Sequence, residues 1–149
     1  MRRDLQPEDV ARLLAAPRCA TLATYRRDDT VLLSPVWHEW LDGGFTVHLG
    51  ADGVNARLLR RDPRASIVVY DDTPPYAGVE LRGVGHLATA DERATLRRLA
   101  VRYLGERAGH AYADAATWAG VVLRLEPGDL RVWDFVDEYG EQGPATTTR

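Results

Sequence analysis

The sequence predicts a mostly β protein of the α+β kind, an antiparallel barrel or sandwich with flanking helices. Three observations predict it. Seven short segments alternate or run apolar in the manner of strands, most follow one another directly, and turn residues separate them. Only three stretches carry helical signals of useful length. The chain has 149 residues, 45% of them hydrophobic, which is enough for one core, and neither a linker nor a repeat divides it.

Residues 6–16 (QPEDVARLLAA) read as a helix. Pro7 suits a first turn, Glu8 and Asp9 favour its positive end, and Val10, Leu13 and Leu14 make one apolar face. CATLATY (19–25) reads as a strand, with Cys19 as a small core residue. VLLSPVWHEW (31–40) is a second strand, and Pro35 within it predicts an edge or a bulge. LDGG turns the chain into a third strand, FTVHLG (45–50). Asp52 is the expected N-cap of a helix over 53–61. RASIVVYD (64–71) reads as a buried strand, and AGVELRGVGHLAT (77–89) as a long one bent at its glycines. Asp91 starts an amphipathic helix over 91–107, and HAYADAATW adds a further helical turn. GVVLRLEP (120–127) and DLRVWDFV (129–136) are the last strands, joined at Pro-Gly. One domain therefore spans 1–136, and residues 137–149, which lack an apolar pattern, form an expected flexible tail.

Composition narrows the function. The net charge of −3 gives no sign of a nucleic-acid binder. All 19 basic residues are arginine, so lysine Schiff-base chemistry is excluded. A single cysteine makes neither an internal disulfide nor a cysteine metal site. No apolar run has the length of a signal peptide or a membrane span, so the expected compartment is the cytoplasm.

The stretch HLGADGVNARLLRRDPR (48–64) concentrates a strand end, two glycines and four arginines. A helix start presents unpaired N–H groups, and glycines let a phosphate come close. Arg57 could clamp such a phosphate, while Arg60, Arg61 and Arg64 fit a solvated basic face. His38, Glu39 and His48 match no zinc spacing, and Glu39 points opposite His38, so no metal is assigned. Period two puts His38 and Trp40 on one face and Trp37 on the other. Ser34 lacks the glycine elbow of a nucleophile. Tyr70, Tyr76 and Arg82 line either a ligand cleft or ordinary structure.

The order ATLAT, SPVW, the glycine-rich step with ARLLRRDPRASIVV, PPYAGVELRGVG, an amphipathic helix and RVWDF resembles the split β-barrel flavin and deazaflavin oxidoreductases. That superfamily includes pyridoxamine 5′-phosphate oxidase, and the likeness is closer to its actinobacterial F420-dependent reductases. It covers about residues 8–136. The resemblance implies a six-stranded antiparallel split barrel with flanking helices, assembled as a homodimer with the cofactor between subunits. The cofactor would be coenzyme F420, or alternatively FMN, and the reaction a hydride transfer to a conjugated small molecule. Gly50, Asn55, Ala56 and Arg57 would meet its phosphate end. Ser34, Pro35, Val36 and Trp37 would lie along linker and ring, and Pro75 and Tyr76 would reach the ring from the neighbouring subunit. Trp133 and Phe135 would close the pocket or simply pack in the core. The chain departs from its relatives in the basic set: Gly53, Asn55 and Leu58 stand where relatives often carry arginine, lysine and asparagine. Weakened cofactor binding, or a non-catalytic protein that binds other ligands, are the consequences left open.

Overall fold

The computed structural model describes residues 1–126 and 128–139. A 3-10 turn (Pro7–Val10) runs into α1 (Ala11–Ala15). The chain continues through β1 (Ala20–Tyr25), β2 (Val31–Val36), β3 (Glu39–Leu41), β4 (Gly44–Gly50) and α2 (Val54–Arg61). Then come β5 (Arg64–Tyr70), β6 (Ala77–Ala88), α3 (Glu92–Leu104), α4 (Glu106–Ala115), β7 (Gly120–Leu125), β8 (Asp129–Asp134) and the short α5 (Val136–Tyr139). Strands follow the order β2-β1-β5-β6-β7-β4-β3, with β8 also on β6, and every pairing is antiparallel. The architecture is the expected mostly β split barrel with helices at its flanks.

The 12-residue β6 holds the barrel together. Its first half pairs with β5 on one side and β8 on the other, and Gly85–Ala88 then pair with β7. The predicted bend falls between these halves. A Cβ on Gly85 would stand 2.7 Å from Leu123 Cδ1, so a larger residue there would have to displace that leucine. The core fills the space between the sheets with Leu22, Phe45, Val47, Leu49, Ile67, Val69, Leu81 and Leu123.

Five expectations differ from the structure. The 31–40 strand breaks at Trp37–His38 into β2 and β3, giving eight strands. Arg102 explains the break, because its guanidinium donates to the carbonyls of His38, Leu14, Ala15 and Ala16. One cation thus satisfies the C-terminal carbonyls of α1 and the broken strand together. Gly53, not Asp52, is the N-cap of α2. Cys19 precedes β1 and is exposed. The last expected turn is a full helix, α4, and residues 136–139 of the expected strand end and tail are helical; residues 140–149 lie outside the described residues.

His38 is fully buried against Phe45 and Tyr103, and neither ring nitrogen has a hydrogen-bond partner among the described residues. Trp40 meets the same Phe45, so His38 and Trp40 do share a face. Burial, and then the nearby Arg102 charge, push the His38 pKa down to about 4.

Two consequences are measurable. The lowered His38 pKa means that the unfolded chain takes up a proton the folded chain refuses, so this contribution is complete above the ordinary value of 6.5 and is lost toward pH 4. His38→Leu should shrink the stability difference between pH 7 and pH 4.5 by about 2–3 kcal/mol in urea titrations; a difference equal to the parent's would exclude His38 as the source. Gly78 pairs with Trp133 across β6 and β8, and a Cβ there would overlap the indole. Gly78→Ala should cost about 1–3 kcal/mol, and less in a Trp133→Leu background if the indole is the obstacle.

Candidate functional site: the β4–α2 step

β4 ends at Gly50, the chain turns through residues 51–53, and α2 begins. Backbone bonds fix the turn: Gly53 N–H donates to Gly50 O at 3.0 Å, and Ala51 N–H donates to Ala119 O at 2.9 Å. A Cβ on Gly53 would stand 3.1 Å from Gly50 O, so the turn favours a residue without one. No side chain caps α2. The N–H groups of Val54, Asn55 and Ala56 are therefore left without an acceptor among the described residues, and the positive end of the helix faces outward. Ala56 is completely buried, backbone included, so of these three residues only Val54 and Asn55 present surface to a ligand.

The four arginines of this segment have separate roles. Arg60 donates to Ala51 O at 2.6 Å, bracing the turn. Arg61 donates to Tyr25 O at 2.9 Å. Arg64 pairs with Asp62 at 2.7 Å and lies 4.5 Å over the Tyr25 ring. The guanidinium of Arg57 has no partner among the described residues and is exposed. The sequence grouped these residues by charge; the structure frees only Arg57.

Asn55 is placed differently from expectation. Its Oδ1 accepts from Thr24 on β1 at 2.9 Å, and its Nδ2 donates to Ser34 on β2 at 3.0 Å. The amide therefore ties α2 to two strands instead of standing free for a ligand. About 200° of helix separates Asn55 from Arg57, so they flank the helix start from different sides. Thr24 carried no signal in the sequence beyond strand propensity, and only the pairing of β1 with β2 brings it here.

β2 is an edge strand, as Pro35 predicts, and Ser34, Pro35 and Val36 pair with Leu22, Thr21 and Ala20. A cavity of about 340 Å³ runs beside Pro35, lined by Cys19, Thr21 and Tyr70. Trp37 leaves this surface. It stacks on Tyr103 at 5.0 Å and meets Tyr112 at 5.5 Å, so its indole packs on α3 and α4 and is not available beside Ser34. Pro75 and Tyr76 stand at the far end of the sheet. Ala65 pairs with Thr24 by the step, whereas Tyr70 and Gly78 mark the other end. Five positions of strand separate Ala65 from Tyr70, about 17 Å. Within one chain, Pro75 and Tyr76 do not join the step. Tyr76 packs on Phe135 and Tyr139, and Trp133 covers Gly78, so both C-terminal aromatics take packing roles.

Other polar groups are structural. His48 meets Glu92 at 2.7 Å beneath Trp118, anchoring α3 to β4. Glu39 accepts from Arg98. Arg82 pairs with Asp129. No three His, Cys, Asp or Glu side chains converge among the described residues. A larger groove of about 470 Å³, lined by Pro7, Leu14, Trp40 and Arg98, shares no residue with the step. Among the described residues, no helix is long and apolar enough to cross a membrane.

The antiparallel strands and flanking helices define the split-barrel class of fold. Residues 6–134 match the pyridoxamine 5′-phosphate oxidase family, and the chain belongs to it. No curated protein matches significantly. Among solved structures, the conserved hypothetical protein Rv2991 of Mycobacterium tuberculosis is 28% identical, with a TM-score of 0.74 over 89% of this chain and 87% of the other. An F420 reductase shares the fold at 23% identity and a TM-score of 0.65, over 80% and 93%. A heme binding protein of Mycobacterium smegmatis is 27% identical, with a TM-score of 0.63, over 89% of this chain and 55% of that one.

The freedom of Arg57 is testable without a ligand. Arg57→Ala should leave the thermal midpoint within about 1 °C, whereas Arg61→Ala, which loses its bond to Tyr25 O, should lower it by about 2–4 °C. An equal fall in both would show that Arg57 is bound within the fold.

Proposed function

We propose that this protein is an F420-dependent oxidoreductase that works as a homodimer. The phosphate of F420 would rest on the amides of Val54 and Asn55, next to the buried Ala56, with Gly50 below it and Arg57 closing over it. The β2 backbone at Ser34, Pro35 and Val36 would run along linker and ring, and Pro75 and Tyr76 of the second copy would complete the ring site. The observation that carries this reading is the uncapped start of α2 with one uncommitted arginine.

Charge favours F420 over FMN. The phosphate of F420 is a diester with one negative charge, and that of FMN is a monoester with close to two at neutral pH. A step with one free arginine and a neutral, internally bonded Asn55 suits the smaller charge. The opposing observation is that Arg60, Arg61 and Arg64 are engaged within the fold, which leaves them poorly placed for the acidic tail of F420. FMN is therefore the second reading.

Dimerisation is supported by the outer face of the β2-β1-β5-β6 sheet, where Leu33 is 64% and Tyr70 52% exposed, with Val31 and Val84 beside them. Reduced F420 supplies a hydride for an electrophilic carbon, such as the end of a conjugated C=C. The protein's part is to bind, orient and exclude water. A flat conjugated substrate fits the exposed Pro35 and Tyr70 surface.

The test is a fluorescence titration with F420 and, separately, FMN, with molecular mass measured alongside. F420 should bind at least about 10-fold more tightly than FMN, and Arg57→Ala should weaken F420 roughly 10-fold and flatten its salt dependence. FMN preference would assign the flavin reading. Binding of neither would overturn both and turn attention to non-catalytic ligands such as haem.

A further inference from the structure

The geometry points to Asn55 and Thr24 as positioning residues that fix the Ser34 hydroxyl as a hydrogen-bond donor to a cofactor phosphate oxygen. The inference rests on the cofactor reading above, and it adds a ligand-facing group to the step. Thr24 is completely buried, and its hydroxyl finds its acceptor in Asn55 Oδ1. That acceptor sets the orientation of the amide. Were the amide turned over, the Thr24 hydroxyl would face an N–H donor and lose its acceptor in a site without water access. With Oδ1 toward Thr24, Nδ2 must face Ser34, and it donates to Ser34 Oγ at 3.0 Å. Ser34 Oγ is thus already an acceptor. Its own hydrogen has no acceptor among the described residues, and Ser34 is only half-buried.

The three groups form a one-way sequence: Thr24 donates to Asn55, Asn55 donates to Ser34, and Ser34 donates outward. Asn55 lies in the first turn of α2, so its side-chain amide ties the Ser34 hydroxyl to the turn whose N–H groups lack acceptors. A ligand held at the helix start would then be offered a donor from β2 as well as the helix amides. An acceptor-only group meets all of them, and a phosphate oxygen is such a group. An aspartate at position 55 would reverse the sequence, since a carboxylate accepts from both hydroxyls and turns the Ser34 hydrogen inward.

The experiment compares F420 and FMN with riboflavin, which lacks the phosphate, on the full chain. Ser34→Ala should weaken the phosphate-bearing cofactor about 5- to 10-fold, as expected for one lost bond to a charged acceptor, and leave riboflavin unchanged. Thr24→Val keeps the shape of the threonine but frees the amide to turn. It should weaken the same cofactor about 2- to 5-fold, Thr24→Ser should restore it, and the Thr24→Val/Ser34→Ala double variant should bind no worse than Ser34→Ala alone. Equal losses for riboflavin, or a double variant showing the product of the two single losses, would overturn the inference while leaving the cofactor reading intact. Failure of the parent protein to bind F420 or FMN would overturn the cofactor reading itself, and the inference with it. A purely structural role for Thr24 would lower thermal stability with cofactor affinity unchanged, which would likewise overturn the inference. Side-chain amide NMR of the ligand-free protein guards against misfolding: the Asn55 NH₂ resonances should shift in both single variants, and no shift in either would overturn the sequence of bonds.

Discussion

The bend in β6 is the constraint on which the rest of the structure depends. A single strand pairs with β5 and β8 through one half and with β7 through the other, so two sheets share one backbone. Gly85 at the bend is buried, and its N–H donates to Pro63 O at 2.7 Å. Leu59 packs against the same glycine. Pro63 and Leu59 belong to the end of α2 and the turn after it, so the bend also fixes where α2 lies. The helix start is then aimed from both ends: the bend holds its C-terminal turn, and the Gly50–Gly53 turn holds its N-terminus. An exposed helix start without a cap is normally a cost to stability. Here the fold carries that cost at a place held rigid on both sides.

Arg102 and Tyr103 do comparable work on the opposite flank. Arg102 gathers four carbonyls from α1 and the β2–β3 break, and the Tyr103 hydroxyl donates to Arg18 O at 2.6 Å while accepting from His38 N–H at 3.0 Å. This polar clamp allows β2 to leave the sheet at Trp37 and lets Trp37 stack on the helices. The residues before it, Ser34 to Val36, remain on the edge strand beside the step. One side chain placed in α3 thereby separates the packing half of SPVW from the half that can meet a ligand.

Much of this was legible in the sequence, and the failures share a cause. The seven apolar segments, the bend at the β6 glycines and the edge position of Pro35 all follow from local pattern, because period and backbone freedom act over a few residues. The break at Trp37–His38 depends on an arginine 64 residues away, and no window includes both. Asp52 is a good cap by type, yet the turn ends one residue later because Gly53 N–H is already bound to Gly50 O. The basic cluster shows the same limit. Charge is visible in the sequence, but whether an arginine is free depends on which carbonyls lie beside it, and those come from Ala51, Tyr25 and the far side of a turn. Asn55 looked like a neutral donor for a ligand; Thr24 and Ser34, contributed by two other strands, claim it first.

The exchange of charge for geometry at the step has a physical logic. A lysine in the first helical turn would attract any anion through a long, flexible stem, and its ordering entropy would offset part of the gain. Backbone amides and a hydroxyl held by two preceding hydrogen bonds lose little freedom when a ligand arrives. Each lacks the full charge of an ammonium. Their directions are fixed, however. A step of this kind discriminates by the arrangement and count of acceptor oxygens more than by total charge. On the cofactor reading proposed above, with Arg57 as its one unpaired arginine, it would suit a ligand that brings one negative charge and several oxygens to the end of β4.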